Sequence, residues 1–282
     1  MVERLIVPLD GSEHAARALS VALEIRRRTD ARIVVVRSAH PADADAARAE
    51  IHAELGAVGL VDDRGAAVHD VEVVVDVDRG AVGAIASAAS GEPGTLVCMS
   101  THGRGGVGRA VLGSVAEEAL VDAGVPFVLV GPHHQTGPLA GPVLLAIDGS
   151  LRSESVVPLA AEWSRRLGAE LWVVSVIDPR DAAAARAALG GDHVDEGAHV
   201  HRVASALSAE LGRAIDWEVL HDDDPAAALV RYAADKGASV VVMATHGRTG
   251  LARVTMGSVT ARVVRDHSGV VLVARSADGA ND

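Results

Sequence analysis

Short apolar runs alternate with alanine-rich stretches along the whole chain. In the first half, Arg4–Leu9, Ile33–Ser38, Val71–Val77, Thr95–Met99 and Phe127–Val130 are compact runs dominated by branched aliphatic residues. Their length suits buried strands. Between them, Ala15–Arg28, Ala42–Gly56, Ala81–Ser90 and Gly113–Ala123 carry apolar residues at helical spacing. Such alternation predicts a parallel sheet with helices on both faces, and right-handed crossovers narrow the topology. In sheets of this kind ligands sit at the carboxyl ends of the strands, near the switch in strand order.

The pattern then repeats. Val7-Pro8-Leu9-Asp10-Gly11-Ser12 aligns with Leu145-Ala146-Ile147-Asp148-Gly149-Ser150, and Ala31–Val36 with Ala169–Val174. Met99-Ser100-Thr101-His102-Gly103-Arg104 aligns with Met243-Ala244-Thr245-His246-Gly247-Arg248 at a larger offset, so the second copy is longer in its middle, between the counterparts of Pro41 and Val71. Leu112-Gly113-Ser114-Val115 keeps that offset over Met256-Gly257-Ser258-Val259. The expected organisation is a domain at 1–132, a Pro/Gly-rich linker at 133–140, a second domain at 141–276 and a tail at 277–282.

Composition sharpens this picture. Of 282 residues 49% are hydrophobic but only 2% aromatic, so the core must be Val, Leu, Ile and Ala. A formal charge of −12 argues against a nucleic-acid binder, which needs a basic face. One cysteine, Cys98, excludes an internal disulfide and a Cys-based zinc site. No apolar run reaches the roughly 18 residues of a membrane span, and the N-terminus has no leader pattern. The expectation is a soluble, cytoplasmic protein with no membrane partner.

Candidate chemistry falls at the strand ends. Asp10-Gly11-Ser12 and Asp148-Gly149-Ser150 read as strand-to-helix turns with a capping serine. The recurring carboxylate can also accept hydrogen bonds from ribose hydroxyls or an adenine amino group. Ser100–Gly108 leads into Gly113-Ser114 at a helix start, where free N–H groups and the helix dipole favour phosphate. Ser114 and Ser258 add hydroxyls; Arg104, Arg109, Arg248 and Arg253 add charge. His102 and His246 read as hydrogen-bonding fixtures, with no nucleophile beside them in sequence.

Other motifs carry less. Gly103–Gly108 fits G-x-G-x-x-G, but it follows the fourth strand and its second copy breaks the pattern. There is no Walker-type loop and no G-x-S-x-G elbow. His193, His199 and His201, near Asp192, Asp195 and Glu196, have no first-copy equivalent and read as a solvated polar stretch, so no metal site is expected. Asp222-Asp223-Asp224-Pro225 reads as a helix N-terminus, with Asp78-Arg79-Gly80-Ala81 as its counterpart. Cys98, inside an apolar strand, reads as an inert thiol.

These residues resemble the universal stress protein family over nearly the whole chain. Its ATP-binding members resemble G-x-x-G-(nine residues)-G-[ST]. Here Ser100-Thr101-His102-Gly103 is followed by nine residues and Gly113-Ser114, and Ala244-Thr245-His246-Gly247 by nine and Gly257-Ser258. The first glycine is Ser100 or Ala244, which suits a negative φ and would be strained at a positive one. The resemblance implies two tandem five-stranded parallel-sheet α/β domains of strand order 3-2-1-4-5. It implies adenine near Asp10 with Ser38, and near Asp148 with Val176. Ribose would lie by Ser100 and Gly103, or Ala244 and Gly247, and phosphates by Gly113-Ser114 and Gly257-Ser258. The neighbouring positions Pro8, Leu9, Met99, His102, Arg104 and Val115, with Ala146, Ile147, Met243, His246, Arg248 and Val259, complete the expected sites for ATP, with Mg2+ as its companion ion. It also implies pairing of the fifth strands, Val125–Val130 and Val270–Ala274, and association of chains.

Three functional readings follow. The first is an ATP-binding stress-response regulator that works by binding rather than turnover. The second is a slow ATPase or ATP-dependent transferase on the same scaffold. The third is an interaction module whose nucleotide sites have decayed.

Overall fold

The computed structural model describes residues 2–61, 71–102, 112–180, 197–245 and 256–275. The chain divides into two compact units, Met1–Pro138 and Leu139–Asp282. Both are α/β, with parallel strand pairing between neighbours.

In the first unit the strands are β1 (Arg4–Pro8), β2 (Arg32–Ser38), β3 (Val71–Asp76), β4 (Thr95–Ser100) and β5 (Phe127–Val130). The helices are α1 (Glu13–Thr29), α2 (Ala44–Ala57), α3 (Gly80–Ala89) and α4 (Ser114–Asp122). Parallel pairing runs β3-β2-β1-β4-β5, so the order switches at β1, which has β2 on one side and β4 on the other. Right-handed crossovers place α1 and α2 on one face and α3 and α4, which touch each other, on the opposite face. Helix α1 buries Ala15, Ala18, Leu19, Ala22 and Ile25, a stripe at helical spacing. It ends at Asp30, φ 56°, whose N–H returns to the Arg26 carbonyl.

In the second unit the strands are β6 (Val143–Ala146), β7 (Leu171–Ile177), β8 (Asp216–His221), β9 (Val240–Ala244) and β10 (Val270–Ala274). Parallel pairing runs β10-β9-β6-β7-β8, the same order read from the other end. The helices are α5 (Leu151–Glu154), α6 (Val157–Leu167), α7 (Ala198–Leu211), α8 (Pro225–Lys236) and α9 (Ser258–Asp266). The continuous α1 of the first unit is here two pieces, α5 and α6. Pro158 sits at the start of α6 and supplies no N–H to continue the preceding turn. Its counterpart in α1 is Ser20, which donates its hydroxyl to the Ala16 carbonyl.

Both cores are aliphatic, as the composition requires. The few large rings divide unevenly: Phe127 is in the first unit, whereas Trp163, Trp172, Trp217 and Tyr232 are all in the second. Trp163 is buried and Trp217 is 42% exposed.

Candidate functional site

The tip of β1 is built by one carboxylate and one serine. Gly11 turns the chain at φ 79°, a conformation that penalises any Cβ. The Ser12 hydroxyl accepts the Ala15 N–H at 3.2 Å and so caps α1. It donates to Asp10 Oδ1 at 2.6 Å, and the Ser12 N–H donates to the same oxygen at 3.0 Å. The second unit repeats this: Asp148 Oδ1 receives Ser150 Oγ at 2.6 Å and Ser150 N at 3.0 Å, with Gly149 at φ 80°. Ser150 caps α5 by accepting the Ser153 N–H at 3.1 Å.

The second element is the step from β4 to α4. Thr101 is buried, and its carbonyl accepts the Gly113 N–H at 2.8 Å, which brings the two ends of the intervening loop together. Gly113 lies at φ −74°, ψ 152°, open to any residue. The reason for glycine is proximity, because a Cβ there would lie 3.2 Å from the Thr101 oxygen. Gly113 has no side chain to cap α4, so among the described residues its first N–H groups remain available at the positive end of the helix. Gly257 repeats this, with its N–H to the Thr245 oxygen at 2.7 Å and, among the described residues, no side-chain cap on α9.

Ser100 and Ala244 close their strands in extended backbone. Among the described residues Asp30 is the only non-glycine with positive φ, so neither substitution for the first glycine strains the chain. Ser100 Oγ donates to the His102 carbonyl at 2.8 Å, and His102 Nδ1 lies 2.9 Å from Thr101 Oγ1.

In the first unit these parts line one cleft of about 790 Å3 at the carboxyl ends of β1, β2 and β4. It is the size of a small-molecule site. Pro8, Leu9, Asp10, Ser38, Met99, Ser100, His102, Gly113, Ser114 and Val115 all line it. Gly11 and Ser12 form the turn beside it. Gly103 and Arg104 lie outside the described residues, as do Arg109, Arg253, His246, Gly247 and Arg248 and the whole of the G-x-G-x-x-G match. In the second unit Ala146, Ile147 and Asp148 follow the same course: the Ile147 N–H reaches the Val174 oxygen at 2.9 Å, as Leu9 reaches Val36 at 2.9 Å. Val176, Met243, Ala244, Gly257, Ser258 and Val259 take the equivalent strand-end and helix-start positions.

The sequence reading missed Arg37 and Glu50, which also line the first cleft. The Arg37 side chain is 9% exposed, and its Nη2 meets Glu50 Oε2 at 2.5 Å. Its Nη1 is buried without a hydrogen-bond partner. The only available signal was a charged residue where a strand otherwise reads Val-Val-Val.

Other expected features have structural duties. Asp224 caps α8, accepting the Ala227 N–H at 3.1 Å, and that bond, with Arg262 at 2.6 Å, holds its carboxyl below the usual range. In the first unit α3 is started by Asp76. It accepts the backbone N–H groups of Arg79 at 2.8 Å and Asp78 at 3.0 Å, and the Arg79 guanidinium at 2.7 Å. The Arg79 backbone bond is the main cause that lowers its pKa. Cys98 is fully buried and burial pushes its thiol pKa up, which leaves it un-ionised. His199 meets Ser175 Oγ at 3.2 Å, and the His201 ring packs edgewise on Trp217. His193, Asp192, Asp195 and Glu196 lie outside the described residues. No helix among the described residues is long and apolar enough to cross a membrane.

Comparison with known proteins places this geometry. The model of the Universal stress protein family matches residues 1–131 and again 140–275. A universal stress protein of Mycobacterium tuberculosis is 31% identical over 190 residues, 64% of this chain and 61% of its own length. One of Mycolicibacterium smegmatis is 32% identical over 192 residues with the same shares. The alignments therefore span 61% of the length of these curated relatives. The crystal structure of a universal stress protein from Archaeoglobus fulgidus has the same fold: TM-score 0.70, 18% identity, 98% of this chain and 99% of its own. The chain belongs to the universal stress protein family, as a tandem two-domain member.

Proposed function

We propose that the protein binds ATP or a related adenine nucleotide, with Mg2+ carried on the phosphates, and acts in the stress response by binding rather than turnover. The observation that carries the reading is the first-unit cleft. It joins an uncapped helix start to a carboxylate-bearing strand tip across the switch in strand order. The helix start suits phosphates. Asp10 suits ribose or amino donors. The small apolar residues Val36, Ala39 and Ala47 suit the face of a base.

The polar groups present favour holding over reacting. Asp10 already takes two donors from Ser12, and His102 Nδ1 is engaged by Thr101. Occupancy would act in the cytoplasm by changing contacts with a partner protein or a second chain, which requires unequal affinity for two conformations. Domains 1–132 and 141–276, on either side of the 133–140 linker, are the units of this reading.

Isothermal titration calorimetry with ATP and Mg2+ tests it. The expected result is saturable binding, with phosphate release no faster than ATP alone. Absence of heat at millimolar ATP, with protein purified free of nucleotide, rejects it.

A further inference from the structure

We infer that the two sites are not equivalent: the first domain holds the nucleotide and the second does not. The inference rests on the nucleotide reading above and specifies where in the chain it applies. Among the described residues the backbone contacts occur in both copies, and the difference lies in side chains that face the cleft.

At the first site five of those side chains are small or of modest size. Ala15, Ser38, Ala39, Ala81 and Ala116 all line the cleft. Their counterparts in the repeat are Ser153, Val176, Ile177, Pro225 and Thr260. Each is larger, and they come from both faces of the sheet and both flanks of the central strand. A base needs a slot about as thick as an aromatic ring, and a few added methyl groups close one in a packed interior.

Two of these replacements are tied in place by their hydroxyls. Ser153 Oγ donates to the Ser150 carbonyl at 2.9 Å and accepts the Asp148 N–H at 3.1 Å, so it binds at the strand tip itself. Thr260 Oγ1 donates to the Ala244 carbonyl at 3.1 Å and is buried. Ala15 and Ala116 have no atoms for either bond. The wall on β2 changes too. Arg37 becomes Ser175, which is buried and meets His199 of α7, so an imidazole stands against the strand where the first unit has a guanidinium.

The experiment is the stoichiometry of ATP on the full chain, with two variants. One equivalent per chain is expected. Gly113→Asp places a capping carboxylate on the N–H groups of α4 and should lower ATP affinity by about a hundredfold or more. Gly257→Asp does the same to α9 and should leave affinity within about twofold. Thermal unfolding of each variant confirms that it folds, and the stoichiometry of the unaltered chain stands without either. Two equivalents, or loss of binding on Gly257→Asp with retention on Gly113→Asp, overturns the division alone. Zero equivalents rejects the nucleotide reading and the division with it.

Discussion

Asp10 and Asp148 each take a serine hydroxyl at 2.6 Å and a serine N–H at 3.0 Å. Gly113 and Gly257 donate to threonine carbonyls at 2.8 and 2.7 Å. In these backbone-controlled contacts the two domains agree to within about 0.1 Å. Around them the side chains diverge: alanine against serine, serine against valine, arginine against serine. A duplicated fold keeps its turns because the chain cannot otherwise pass from strand to helix. The residues that meet a ligand are free of that constraint and record what each copy does.

The comparison can be broken by exchanging parts. Asp10→Ala should cost about 1–2 kcal/mol of stability, since two hydrogen bonds to a charged group are lost. It should also lower ATP affinity by about tenfold to a hundredfold. Asp148→Ala should cost the same stability and leave ATP affinity unchanged. Urea unfolding and calorimetry on both variants separate the two effects. Equal losses of affinity would mean that the second tip touches ligand as the first does.

Helix starts sharpen it further. Asp76 is 8% exposed and accepts three donors, whereas the Asp224 side chain is 37% exposed. Asp76→Asn should therefore destabilise more, by about 2 kcal/mol at neutral pH. The folded pKa lies below the unfolded value of about 3.9. The stabilisation is therefore complete above that value and is lost as pH falls through the folded pKa. Urea midpoints of parent and variant should converge in strong acid. A gap that persists there would assign the effect to packing rather than charge.

The smallest expected effects are at Ser153 and its counterpart Ala15. Ser153→Ala should cost about 1 kcal/mol, because the Asp148 N–H and the Ser150 carbonyl lose a partner. Ala15→Ser in the first domain should leave stability nearly unchanged and weaken ATP binding by a few-fold. Unaltered binding in that variant would show that the strand tip has room to spare.

Much of this was legible in the sequence. The repeat, the parallel α/β class and the two turns are written in short-range patterns: apolar runs, an Asp-Gly-Ser triplet, a fixed spacing to Gly-Ser; the strand order was implied by the family resemblance instead. Element ends fell within a residue or two, as for β1, expected through Leu9 and found to end at Pro8. Arg37 was not legible. A charged residue near a strand end reads as solvent-facing, and its burial depends on α2 lying over it, a contact between positions far apart in the chain. Ser153 was equally silent, because a serine three residues after a helix cap looks like any surface residue until its hydroxyl is seen to bond backbone on both sides.

The uneven distribution of rings has a practical consequence. With every indole and the one phenol in the second domain, tryptophan emission is an intrinsic label for that half alone. Circular dichroism, in contrast, sees the helices of both. A denaturation curve recorded by the two methods therefore tells whether the halves melt together. A nucleotide held by the first domain shifts the fluorescence curve only to the extent that the halves are coupled.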